Sequence, residues 1–278
     1  MAMKGVAAVS FTIAQDALGV FQLARETVES WRAPNLGSKV RACVGEDPIV
    51  LLHGLAGTPR MLSPLRRYLE RELERPTIDL ALGIGFGDIR DSAIRVHEAM
   101  AQAGVRRCDV IGYSLGGLVA AYLLKCLDQG RCIRSVVTLG TPHRGVTFLT
   151  RWRWQLARWI RSAHQVREGS PFLMQLQRMP TPEGTKMLSI AGATDSIAPP
   201  ESAHLTGAEC RNLVVPGIDH WQLPTSRRVF RCVKEVLDSA QGSWPAPHLE
   251  PIAPLTRAPS AFREAARLSC ASAAHRAR

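Results

Sequence analysis

Ser114 stands at the centre of Gly112-Tyr113-Ser114-Leu115-Gly116, with the apolar run Cys108-Asp109-Val110-Ile111 before it and the run from Gly117 to Leu124 after it. The first run reads as a strand and the second as a buried helix. A serine at a strand-to-helix turn, with small residues two before and two after, has the pattern of a nucleophile elbow. The turn is so tight that a β-carbon at either flank would strike the neighbouring strand or helix, which is why glycine stands there. Such a turn lifts Oγ clear of the backbone and leaves the Leu115 N–H at a helix start, facing any oxyanion that forms. The chemistry these residues could do is nucleophilic attack on a carbonyl carbon.

A serine hydroxyl is a poor nucleophile at neutral pH, so the elbow calls for a base and for a group that orients the base. With this kind of turn the expected chain order is serine, acid, histidine, each partner following a strand. Met187 to Asp195 supplies a strand and then an acid, and Arg211 to His220 supplies the next strand, a turn and a histidine. Asp195 and His220 are therefore the expected partners. Asp219 is the competing acid, but neighbouring loop residues seldom point their side chains at each other, and Gly217-Ile218-Asp219 suits a turn. His143 also follows a strand but precedes Asp195, which is the wrong order. His97, His164, His204, His248 and His275 are expected to be solvated.

A second oxyanion donor should come from a loop after an early strand. Pro48-Ile49-Val50-Leu51-Leu52-His53-Gly54-Leu55-Ala56-Gly57 ends a hydrophobic strand in His-Gly, and the Leu55 N–H is the candidate beside that of Leu115. His53 is expected to hold this loop through ring hydrogen bonds. Together with Thr138-Leu139-Gly140-Thr141-Pro142-His143-Arg144-Gly145, these motifs resemble the α/β-hydrolase superfamily, and within it the bacterial triacylglycerol lipases and esterases. The resemblance covers about residues 47–238. One departure is Tyr113, where a histidine commonly precedes the serine in lipases; the nucleophile's chemistry is unaffected by it.

The resemblance implies an α/β-hydrolase fold: a mostly parallel central sheet, helices on both faces and a helical cap or lid insertion. It implies a serine hydrolase cleaving carboxylic esters of acyl lipids through an acyl-enzyme, with Ser114, His220 and Asp195 as triad. No metal or organic cofactor is required. The alternatives are a lipid acyltransferase or a phospholipid or glycolipid deacylase using the same intermediate. From another class comes a non-catalytic lipid- or protein-binding module on the same fold.

The elements that must position these residues alternate along the chain. Strands are expected at 48–53, 76–81, 108–113, 134–140, 187–192 and 211–215. Helices are expected at 61–74, 91–104, 116–128 and 226–238. Strands alternating with helices at short spacing call for a parallel sheet covered on both faces. Gly83-Ile84-Gly85-Phe86-Gly87 lacks the spacing of a dinucleotide loop and reads as a connection beyond a strand, lining the site. Between about 146 and 186 an insertion interrupts the alternation. There Trp152, Leu156, Trp159, Ile160 and Ala163 recur at helical spacing amid arginines, and a second helix follows Ser170-Pro171 with Phe172, Leu173 and Leu176 buried. This reads either as a lid that meets a lipid–water interface or as a static helix covering the sheet edge.

The 278 residues accommodate one such domain, at 47–240, with a helical extension at 1–46 and a basic, Ala/Pro-rich, disordered tail at 241–278. The net charge of +11 is concentrated: residues 144–167 hold six arginines and no acid, and 255–278 hold five against Glu264 alone. No nucleic-acid motif accompanies these clusters, so nucleic acid is not expected as a partner. The expected partners are an ester or acyl-lipid substrate and a lipid interface, with the chain a monomer. The seven cysteines show no CxxC and no zinc spacing, which favours free thiols in a reducing compartment, the cytoplasm or the membrane periphery. In an oxidising compartment Cys126 could pair with Cys132, or Cys210 with Cys232. Residues 6–31 read as an amphipathic helix, with a secretion signal as the alternative.

Overall fold

The computed structural model describes residues 47–83, 85–146 and 160–239. Six strands form one sheet: β1 (Ile49–Leu52), β2 (Thr77–Leu80), β3 (Cys108–Tyr113), β4 (Ile133–Leu139), β5 (Lys186–Gly192) and β6 (Cys210–Val215). Their order is β2-β1-β3-β4-β5-β6, and all five pairings are parallel. The helices are α1 (Ser63–Leu73), α2 (Ile89–Gln102), α3 (Leu115–Tyr122), α4 (Arg161–Gln165), α5 (Pro171–Arg178) and α6 (Arg227–Asp238).

The sequences of β1, β3 and β5 are buried at every position, as strands covered on both faces must be. Successive side chains divide between two cores. Val50, Leu52, Val110, Val136 and Met187 pack with Val96, Leu118 and Leu173 from α2, α3 and α5. Ile49, Leu51, Ile111, Val137 and Leu188 point the other way, onto Leu65 and Leu69 of α1 and Val229 and Val233 of α6. β6 closes the described sheet with only its last residue buried.

The strand ends agree with the sequence expectation to within one residue, while three helices differ in start or type. α2 starts two residues early, at Ile89, because Asp88 caps it: its Oδ1 accepts from the Arg90 N–H at 2.8 Å. The helix expected at 61–74 begins as a 3-10 turn, Pro59–Leu62, where Pro59 fixes the first φ. The helix expected at 116–128 is α only to Tyr122 and then widens into a π-helical turn, Leu123–Asp128.

At the opposite end of the sheet from Ser114, the start of β3 holds a fully buried carboxylate. Asp109 accepts from Arg134, from the Arg75 guanidinium at 2.6 Å and from the Ser135 hydroxyl at 2.6 Å. Burial pushes its pKa up, but these donors outweigh burial and hold it below the ordinary value. Five cysteines, Cys108, Cys126, Cys132, Cys210 and Cys232, carry free thiols. Among the described residues no helix is long and apolar enough to cross a membrane. The expected N-terminal helical extension, the expected basic tail and most of the helix expected around Trp152 to Ala163 lie outside the described residues. The second helix of the insertion is α5: the Ser170 Oγ accepts from the Leu173 N–H, and Phe172, Leu173 and Leu176 are buried.

Candidate active site

β3 ends at Tyr113 and the chain reverses at once into α3. Ser114, between them, has φ +53° and ψ −119°, a strained conformation for a residue with a side chain. The strain is held by its surroundings: the Ser114 N–H donates to the Leu139 carbonyl at 2.8 Å, and its carbonyl accepts from the Gly117 N–H and the Thr141 hydroxyl, each at 3.0 Å. The flanking glycines are required by close approach. A β-carbon on Gly112 would lie 2.5 Å from the Gly116 carbonyl oxygen, and one on Gly116 would lie 2.3 Å from that of Leu52.

His220 reaches this turn from the loop after β6. Its Nε2 lies 3.2 Å from Ser114 Oγ, and its Nδ1 lies 2.8 Å from Asp195 Oδ2. The other carboxylate oxygen of Asp195 accepts from the Ile197 and Ala198 N–H groups, both at 2.8 Å, so the acid is aimed by its own turn. Asp195 and His220 are buried while Ser114 is half-buried, which leaves the hydroxyl as the accessible member. An ionised Asp195 keeps the proton of His220 on Nδ1 and leaves Nε2 free to accept one from the serine.

Asp219 does not share in this chain of hydrogen bonds. Its carboxylate accepts from the Gln222 N–H at 2.9 Å and its own N–H donates to the Gln222 side chain, which makes it a turn residue. His143 is buried in the turn after β4, with Nε2 3.0 Å from the Thr138 hydroxyl, and burial pushes its pKa down to about 3. His53 holds its loop through both ring nitrogens. Nε2 accepts from the Leu82 N–H at 3.0 Å, which puts the proton on Nδ1, where it is donated to the Gly54 carbonyl at 2.9 Å. Burial lowers the His53 pKa, consistent with a neutral ring.

The Leu55 loop abuts the serine: a β-carbon on Gly54 would stand 3.1 Å from Ser114 Cβ. Leu115 opens α3, so its N–H has no acceptor within the helix, and neither it nor the Leu55 N–H is given to an acceptor among the described residues. The glycine-rich connection after β2 does line this region. A β-carbon on Gly85 would meet Leu115 Cδ2 at 2.8 Å and Leu55 Cδ1 at 3.2 Å. Of the expected lid residues, Trp152, Leu156 and Trp159 lie outside the described residues, and Ile160 is half-buried ahead of α4.

Sequence reasoning missed three features, two of them at this site. The Tyr113 hydroxyl donates to the His220 carbonyl at 3.2 Å, tying the residue before the serine to the histidine loop. Burial, and then the charges of Asp195 and Asp219, raise the pKa of that phenol, so it remains a donor. Trp221 is 66% exposed and stands edge-on to the His220 ring, 5.6 Å between centroids. With Leu55 and Phe86 it supplies three of the large exposed apolar side chains, two of them in loops that flank Ser114 directly. A tryptophan directly after the histidine was the available signal. Finally, His204, expected to be solvated, is half-buried beside Arg144, with Nδ1 buried and unpartnered.

Residues 48–181 match the family model of palmitoyl protein thioesterases. Two triacylglycerol lipases, from Pseudarthrobacter phenanthrenivorans and Burkholderia plantarii, are each 30% identical over 112 residues, 36% of this chain and 34% and 31% of theirs. The chain thus spans about a third of the length of the curated relatives it matches. Among solved structures it is similar to a mature lipase of Bacillus licheniformis, with a TM-score of 0.54 at 21% identity over 67% of this chain and 89% of that one. It is also similar to Aspergillus fumigatus lipase B, with a TM-score of 0.58 at 14% identity over 78% of this chain and 56% of that one. The chain has the α/β-hydrolase fold and resembles the lipases, esterases and thioesterases built on it.

Proposed function

We propose, with the α/β-hydrolase fold and its lipase-like and thioesterase-like relatives as premise, that this chain is a serine hydrolase of acyl esters. The observation that carries the reading is the continuous hydrogen-bond chain Asp195–His220–Ser114, ending on a serine held in a strained, accessible turn. Ser114 Oγ bonds to the acyl carbonyl carbon as its proton passes to His220 Nε2. The Leu55 and Leu115 N–H groups receive the oxyanion. The intermediate collapses by breaking the carbon–oxygen bond to the alcohol, which leaves with the proton from His220. Water then gives a proton to His220 and attacks the acyl-serine. The bond from the acyl carbon to Ser114 Oγ then breaks as His220 returns the proton to Oγ, and the carboxylic acid departs and ionises in solvent.

The exposed Leu55, Phe86 and Trp221 favour an apolar acyl or alcohol group over a polar one. The test has two arms. A fluorophosphonate should label the folded protein at Ser114, and a series of p-nitrophenyl esters from acetate to palmitate should be hydrolysed with rates that rise beyond acetate. A folded protein that is neither labelled nor active would be a binding module on a hydrolase fold.

The match to palmitoyl protein thioesterases supports a second reading, cleavage of acyl thioesters. The steps are the same with a thiolate as leaving group. Octanoyl thioester and octanoate oxyester compared at equal concentration separate the two by their kcat/KM ratio.

A further inference from the structure

A second pocket, of about 400 Å³, is lined by residues of α3, the π-helical turn, the turn after β4, α5 with the residues before it, and the segment before β6, and none of them is Ser114, Asp195 or His220. Part of its wall is apolar, with Ala121, Leu173, Leu176 and Leu205. The polar part carries Lys125, Arg144, His143, His204 and Glu168. Lys125 is buried on the π-helical turn, and its ammonium donates to the Met179 carbonyl at 3.1 Å and the Leu176 carbonyl at 3.5 Å. Those carbonyls close the end of α5 and carry no charge, and Lys125 forms no ion pair with a carboxylate among the described residues. Burial accordingly lowers its pKa.

Arg144 is half-buried and its guanidinium has no partner among the described residues, although its charge is felt at His204. His204 presents the buried Nδ1 that lacks a hydrogen-bond partner. Glu168 is the single acid on the wall; it is exposed and pairs with neither cation. A buried ammonium and a half-buried guanidinium without a counter-charge form an incomplete set, because burial of charge is costly unless an anion accompanies it.

We propose that this pocket binds an aliphatic carboxylate, its head group held by Arg144, Lys125 and His204 and its chain lying on Leu173, Leu176 and Leu205. The guanidinium fork matches a planar carboxylate with two parallel hydrogen bonds. The apolar wall gives a hydrocarbon chain what an inorganic anion could not use. A carboxylate is also the acid that ester cleavage at Ser114 would release, but the argument for the pocket does not rest on that reading.

The test titrates octanoate calorimetrically into the full chain, before and after reaction with a fluorophosphonate. Binding should persist after Ser114 is modified. Arg144→Gln should weaken it by about ten-fold or more, the value of one charge-assisted contact. Thr206→Glu, which places the protein's own carboxylate on the pocket wall and removes no cation, should abolish it. Octanol, which keeps the chain, and inorganic phosphate, which keeps the charge, should each bind about ten-fold more weakly than octanoate or worse. The proposal is overturned by an absence of octanoate binding, by phosphate binding as tightly as octanoate, or by affinity that vanishes on Ser114 modification and ignores both variants. A protein that resists the fluorophosphonate yet shows the Arg144 and Thr206 effects would refute the reading of Ser114 and uphold the pocket.

Discussion

The α-carbon of Gly140 faces the imidazole of His220 so closely that a β-carbon there would stand 3.0 Å from Nδ1. The same β-carbon would lie 3.0 Å from Asp195 Oδ2 and 2.6 Å from Leu223 Cδ1, and the residue has φ +54°. The acid–base hydrogen bond thus runs past a position where no side chain fits. Gly140→Ala should cost about 1–2 kcal/mol from the left-handed backbone alone, or about 2–8 °C in Tm. Its kcat/KM for p-nitrophenyl butyrate should fall further than the stability loss explains, because His220 must shift. Thermal melts and kinetics on one preparation check both; a variant with wild-type kinetics would show that His220 does not depend on this contact.

Ser114 offers a separation of chemistry from strain. Ser114→Ala and Ser114→Gly should both lose on the order of a million-fold in turnover if the hydroxyl is the nucleophile. Their stabilities should differ, because glycine relieves a backbone conformation that alanine retains. The glycine variant should be more stable than the alanine variant by about 1 kcal/mol or more. Urea unfolding of the two proteins measures the difference, and equal midpoints would mean that the turn is not strained in solution.

The two candidate acids make opposite predictions. Asp195→Asn should cost about ten-thousand-fold in kcat, since an amide favours the wrong His220 tautomer, whereas Asp219→Asn should stay close to wild type because Asp219 caps a turn. Kinetics of the two variants decide the matter, and the reverse ranking would move the acid to Asp219.

His143 links stability to pH. Its pKa falls from 6.5 in the unfolded chain to about 3 in the folded one. Below pH 6.5 the unfolded chain takes up a proton that the folded chain refuses. Its contribution is therefore fully present above about pH 6.5 and is lost progressively as pH falls toward 3, by up to ~1.4 kcal/mol per pH unit. Unfolding free energies at pH 7.5, 6 and 5 should fall less steeply for His143→Gln than for the wild type, whatever the variant's absolute stability. Parallel slopes would show that His143 titrates normally.

The strands were legible because each buried run is apolar and bounded by turn residues, and the order Ser114, Asp195, His220 could be read from where those runs end. Asp109 shows the limit of such reading. It lies inside an apolar run, and what neutralises it, Arg75 and Arg134, comes from elements 34 and 25 residues away. The π-helical turn was hidden for a similar reason. Leu123–Asp128 has the composition of an ordinary helix, and no local residue marks the widening that places Lys125 on the second pocket. Tyr113 read as a departure from a lipase pattern; only the fold reveals that its hydroxyl meets the His220 backbone.

The strand order also sets when the candidate site can assemble as the chain folds. Ser114 leaves β3, Asp195 follows β5 and His220 follows β6, so the candidate site spans four of the six strands, from β3 to β6. Ser114 and His220 are 106 residues apart in sequence, and bringing such distant segments together is slow because loop closure precedes any reward. An intermediate with β1 to β4 joined would carry the Ser114 turn, held by Leu139 and Thr141, with neither Asp195 nor His220 beside it. With Ser114 as the proposed nucleophile, gain of fluorophosphonate labelling during refolding should time the docking of the last two strands, and a nascent chain truncated before β6 should stay unlabelled.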